Sequence, residues 1–118
     1  LFDAAKRGAV PAAEPDLSHW ADAVWKLSKL PHVSIKLSGL GMYHSQWSAQ
    51  NCRVIFQTIV DAFGPSRVML GSNFPVDKLF KSYSDVVDIW NEWLGELSDD
   101  EQSEIRTGAA SRAYRLKL

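Results

Sequence analysis

The sequence predicts an α/β fold built on parallel strands, and three observations carry that reading. Two short apolar runs, "HVSIKLSG" at 32–39 and "RVMLGSN" at 67–73, read as strands. A helical apolar stripe lies between them, and further helical patterns precede and follow. The two runs are separated by roughly 25 residues of helix and loop, the span of a right-handed crossover between parallel strands.

Taken in order, residues 1–16, "LFDAAKRGAVPAAEPD", hold two prolines, a glycine and several alanines and read as a connection. Leu17, Trp20, Ala21, Val24 and Leu27 then repeat at helical spacing. Asp16 or Ser18 is placed to cap that helix, and Pro31 to end it. In the first strand Val33, Ile35 and Leu37 alternate with Ser34, Lys36 and Ser38, giving one apolar and one polar face. Gly39 and Gly41 open a loop, "GLGMYHSQW". Ser48 is the expected cap of the next helix, whose stripe is Ala49, Cys52, Ile55, Phe56, Ile59, Val60 and Phe63. Gly64-Pro65 stops it.

The second strand is short and continuously apolar, as expected of a strand covered on both faces. After the loop "FPVDKLFKSY" a helix over about 84–97 uses Val86, Val87, Ile89, Trp90, Trp93 and Leu94. "SDDE" at 98–101 is a capping box that starts another helix, Gly108 interrupts it, and a short final helix follows. Two strands alone do not make a stable parallel sheet, so further strands are expected from outside this stretch. The chain also starts at Leu1 in mid-pattern, which reads as a piece of a longer protein.

Composition excludes several classes of function. The 118 residues are 46% hydrophobic with a formal net charge of −1, and five tryptophans bring much apolar area to cover. No basic tract provides an electrostatic footprint for nucleic acid. No apolar run approaches the ~20 residues of a membrane span. Cys52 is the only cysteine, so it forms no intrachain disulfide and reads as a small buried apolar residue. With no signal peptide visible, the expected compartment is reducing and cytoplasmic.

The chemistry is expected at the strand ends, because α/β folds bind ligands at the carboxyl ends of parallel strands. Lys36 and Ser38 share the polar face of the first strand, where a lysine needs water, a substrate or a carboxylate. Just past the second strand, Asn73 can donate and accept through its amide and orient a substrate or a water, but an amide does not titrate and is no general base. Its alternative role is to cap the turn through the backbone. Asp77 can titrate and can bind a metal, or it caps the loop or pairs with Lys78 or Lys81. Ser72 reads as a turn hydroxyl, since no histidine lies near it to make it a nucleophile. His44 lies in the loop after the first strand, beside Tyr43 and Trp47, which could line a pocket. His32 is at the opposite strand end and His19 reads as surface. No histidine spacing makes a metal motif.

Over "VSIKLSGLGMY" and "FGPSRVMLGSNFPVDKLFKSY" the sequence resembles the amidohydrolase-related (amidohydrolase 2) family of metal-dependent TIM-barrel hydrolases. That family includes lactonases acting on sugar lactones and on pyrone dicarboxylate. The resemblance covers residues 17–118, and it implies that 1–118 is the C-terminal part of one (β/α)8 barrel domain. "HVSIKLSG" would be strand seven and "RVMLGSN" strand eight, with their flanking helices. The family's usual strand-eight motif is Gly-Ser/Thr-Asp-Trp/Phe-Pro, whose Asp binds the metal or takes a proton from water. Here that position is Asn73, which leaves Asp77 as a replacement carboxylate. The Asp-His pair at the end of strand six would fall near "LFDAAKRGAVP", which offers Asp3 but no histidine.

The resemblance implies a hydrolase of a lactone or similar carboxyl ester acting on a small molecule. Asn73 and Asp77 are the catalytic candidates; Lys36, Ser38, His44, Ser72 and Phe74 are the substrate-binding candidates. A divalent Zn or Mn ion is the implied cofactor, with most of its ligands outside this chain. Activity is expected of the whole barrel rather than of this piece. One alternative is a catalytically incomplete piece that acts by self-association, as a homo-oligomer, through uncovered strands and tryptophans. Another is a metal-independent lyase or isomerase on the same barrel.

Overall fold

The computed structural model describes residues 17–117, so the expected connection at 1–16, the Asp16 cap and Asp3 lie outside the described residues. The elements are α1 (Ser18–Ser28), β1 (Ile35–Leu37), α2 (Leu40–Tyr43), α3 (Arg53–Phe63), β2 (Val68–Leu70), α4 (Tyr83–Leu94), α5 (Asp99–Ser103) and α6 (Ala109–Ala113). Short 3-10 turns cover Pro65–Arg67 and Val76–Leu79, and a π-helical turn over Glu104–Gly108 joins α5 to α6.

β1 and β2 pair in parallel, with Ile35 opposite Val68, Lys36 opposite Met69 and Leu37 opposite Leu70. Alternation then places Ile35, Leu37, Val68 and Leu70 on one face, and Lys36, Ser38, Met69 and Gly71 on the other. The first face meets the helices. Leu37 and Val68 belong to one buried cluster with Val24 of α1, Ile55, Phe56, Ile59 and Phe63 of α3, and Val86, Trp93 and Leu94 of α4. Burying each such side chain stabilises the fold by roughly 1.5–3 kcal/mol. Lys36 and Ser38 on the opposite face are exposed. Val68 and Met69 point to opposite faces and both are buried, which agrees with a strand covered on both sides.

Trp93 anchors the helical layer. Its ring stacks on Phe56 at 5.3 Å between centroids, and its Nε1 donates to the Ala49 carbonyl at 2.9 Å. At the other end of the sheet, Arg67 ties three elements together. Its guanidinium donates to the carbonyls of Phe63, Leu30, Val33 and Ser28 at 2.9–3.2 Å.

Several boundaries differ from the sequence reading for identifiable reasons. α1 starts on Leu17 without a side-chain cap bond, and Leu27, expected on its inner face, is exposed. Ser48 does not cap α3; it and Asn51 close a separate turn by exchanging backbone-to-side-chain bonds of 2.7 and 3.1 Å. Cys52 then stands at the N-cap of α3. Ser82 caps α4 by accepting from the Asp85 N–H, and the helix runs over Tyr83–Leu94 rather than the expected 84–97. The capping box at Ser98 and Glu101 is present in both directions. The α-helix is interrupted by the π turn that ends at Gly108, and the backbone keeps helical angles on both sides of it.

Candidate active site at the strand ends

Both strands run out into their loops at the same end of the sheet, because they are parallel. After β1, α2 packs close to the 3-10 turn at Val76–Leu79, and a Cβ at Gly41 would come within 2.2 Å of the Phe80 ring. Only a glycine allows that approach. Gly71, immediately after β2, has a similar reason: a Cβ there would meet Ser38 Oγ at 3.0 Å and Lys36 Cδ at 3.2 Å. This close packing sets Lys36 and Ser38 beside the exit of β2.

Asn73 and Asp77 form the polar centre of this end. Asn73 Nδ2 donates to Asp77 Oδ1 at 3.0 Å, and the Asp77 N–H donates to the Asn73 carbonyl at 2.9 Å. Asn73 holds a left-handed backbone, φ +55°, a conformation asparagine tolerates better than most residues. Asp77 is 2% exposed and is the one buried charged residue among those described. It pairs with neither Lys78 nor Lys81; the Lys81 ammonium lies over the Trp47 ring, 5.3 Å from its centroid. The Asn73 side chain bonds to a side chain rather than to the backbone of its turn.

Ser38, Ser72 and Asp77 line one small cavity with Gly71, Trp47 and Trp90, among others. Its volume is about 10 Å³, room for about one water molecule and far short of a sugar. Ser72 Oγ accepts from the Phe74 N–H at 3.3 Å, which makes it the turn hydroxyl expected. Phe74 packs edge-on against Tyr83 at 5.4 Å. Lys36 reaches Tyr114 Oη at 3.5 Å from the exposed sheet face. His44 is half-buried, and its Nδ1 accepts from the Gln46 N–H at 3.2 Å. Lys36, His44 and Phe74 thus surround the strand ends without lining the cavity.

Two cavity-lining tryptophans carried weaker signals. Trp90 lies on the stripe of α4 and reads from sequence as a core residue only. Trp47 is 2% exposed, and its indole Nε1 has no hydrogen-bond partner among the described residues. Among those residues no three of His, Cys, Asp and Glu come together as a metal site. One amide and one carboxylate bonded to each other do not form one.

Comparison with known proteins places the chain in a family. The family model described as amidohydrolase matches residues 7–116. The chain is 40% identical over 108 residues to an L-fucono-1,5-lactonase of Burkholderia multivorans, covering 85% of this chain and 36% of that protein. It is 36% identical over 97 residues to an uncharacterized protein, y4mH, of Sinorhizobium fredii, covering 82% of this chain and 33% of that one. The chain thus spans about a third of the length of the curated relatives it matches. Crystal structures of a Burkholderia multivorans amidohydrolase, one with bound HEPES and one with bound zinc, superpose with TM-scores of 0.77 and 0.76. Both are 38% identical, and the match covers 86% of this chain and 38% of theirs. With the family model spanning nearly the whole chain and these relatives matching in sequence and structure, this chain belongs to the amidohydrolase family.

Proposed function

We propose that the whole protein hydrolyses a lactone or a similar carboxyl ester, and that this segment supplies strands seven and eight of a (β/α)8 barrel with their flanking helices. The observation that carries the reading is the Asn73–Asp77 pair at the C-terminal ends of two parallel strands, in a chain 40% identical to a lactonase. Barrel enzymes bind substrate at that end. Among the described residues the sheet has only β1 and β2, and neighbouring barrel strands would pair their outer edges.

In this reading Asn73 holds the attacking water or the substrate through its side-chain amide. Asp77 accepts from that amide and fixes how it faces the substrate. Lys36 and His44 contact the anionic or hydroxyl groups of the substrate, Ser38 and Ser72 offer rim hydroxyls, and Phe74 gives the substrate an apolar wall. Water oxygen bonds to the ester carbonyl carbon, the ring C–O bond breaks and a hydroxy acid is released. Activation of that water falls to groups elsewhere in the barrel, where a Zn or Mn ion would also find its ligands.

The test is Asn73→Ala in the full-length protein, assayed on sugar 1,5-lactones. The expected result is a loss of about 100-fold in kcat/KM with little change in the unfolding midpoint. Unchanged turnover would remove the central claim.

A further inference from the structure

We propose that Asp77 is a positioning residue rather than the base that replaces the family's missing strand-end carboxylate. It locks the Asn73 amide with nitrogen inward and carbonyl oxygen outward, so this strand end offers a neutral acceptor. The ligand group it takes is then a hydrogen-bond donor, a hydroxyl or a water. The inference deepens the hydrolase reading and rests on it for the identity of that donor.

The geometry supports this in five ways. A carboxylate accepts and does not donate, so the amide must turn its NH2 toward Asp77, at the 3.0 Å seen. The backbone bond from Asp77 N–H to the Asn73 carbonyl pins the same residue a second time. Among the described residues Asn73 Oδ1 has no hydrogen-bond partner, and it is not sealed from solvent. Asp77 is 2% exposed whereas Asn73 is half-buried, so the carboxylate lies behind the amide it holds. No lysine pairs with Asp77, which leaves the Asn73 amide as its side-chain partner among the described residues.

Two substitutions separate a lock from a base. Asp77→Asn keeps an oxygen that can accept from Asn73, whereas Asp77→Ala does not. A lock predicts that Asp77→Asn in the full-length protein retains kcat/KM on a sugar 1,5-lactone within about tenfold, while Asp77→Ala falls about as far as Asn73→Ala, roughly 100-fold. It also predicts that Asn73→Ala/Asp77→Ala is no worse than Asn73→Ala alone, because the two act as a unit. A base acting on a water in the small cavity predicts the opposite: Asp77→Asn as damaging as Asp77→Ala, with the double variant worse than either single one. That outcome overturns the proposal.

A second readout needs no turnover. Hydrogen exchange of the 15N-labelled Asn73 side-chain amide is expected to be slow in wild type and in Asp77→Asn. In Asp77→Ala it should be at least about tenfold faster at matched global stability. Equal exchange in all three overturns the lock. A wild type that opens no lactone overturns the hydrolase reading, and the exchange measurement then decides the lock on its own.

Discussion

The two ends of the parallel strands use their polar groups in opposite ways. At the N-terminal end, four hydrogen bonds from the Arg67 guanidinium reach four backbone carbonyls on α1, α3 and the chain entering β1. At the C-terminal end, Asn73 Oδ1 has no protein partner among the described residues, and neither does the buried Trp47 indole nitrogen. A polar group kept away from water without a partner costs about 1–3 kcal/mol. The first end saturates its polar groups, and the second leaves some without a partner among the described residues. This division is the one expected of a barrel, with stability at one face and chemistry at the other.

Four changes would sharpen or break the contrast. The largest effect is expected from Arg67→Ala, which leaves four carbonyls without their charged donor. It should lower stability by about 3 kcal/mol in urea titrations while leaving turnover per folded molecule unchanged. A fall in turnover at full folding would show that the two ends are coupled and break the comparison. Next comes Asn73→Ala, with its loss of about 100-fold in kcat/KM and a stability change within ~1 kcal/mol. If unfolding shifts more than turnover does, Asn73 belongs with Arg67 as a structural residue.

A smaller effect is expected of Lys36→Met, which removes an exposed charge from the open sheet face. KM for an anionic or polyhydroxylated lactone should rise about tenfold with kcat held, as for a group that binds ground and transition states alike. A drop in kcat instead would move Lys36 from holding the substrate to the chemical step. Trp47→Phe should change least. It deletes the indole N–H, and unfolding titrations should show a change of no more than ~1 kcal/mol in either direction. A loss above about 2 kcal/mol would mean that the whole protein supplies a partner for that nitrogen.

Much of the fold is legible in the sequence, because it rests on local periodicity. The alternation of Val33, Ile35 and Leu37 with polar residues marks β1 and its helix-facing side correctly, and the stripe from Ile55 to Phe63 marks α3. The capping box at Ser98 and the stop at Gly64-Pro65 are local hydrogen-bonding and backbone effects, and both appear as expected. Helix starts were less legible where a nearby polar residue competes. Ser48 closes a turn with Asn51 instead of capping α3, and Ser82 starts α4 before its stripe begins.

The candidate site residues, then, could be picked out along the chain: polar groups following two apolar strands, with glycines where the backbone must approach. Their relationships could not. Nothing local says that Asp77 turns back four residues to hold Asn73, that Lys81 lies over Trp47 instead of pairing with Asp77, or that Arg67 gathers carbonyls from as far back as Ser28. Those contacts depend on a one-turn 3-10 segment and on elements brought together by the core. Periodicity reports which face of an element is apolar; which polar groups then meet at its ends is decided only when the tertiary structure closes.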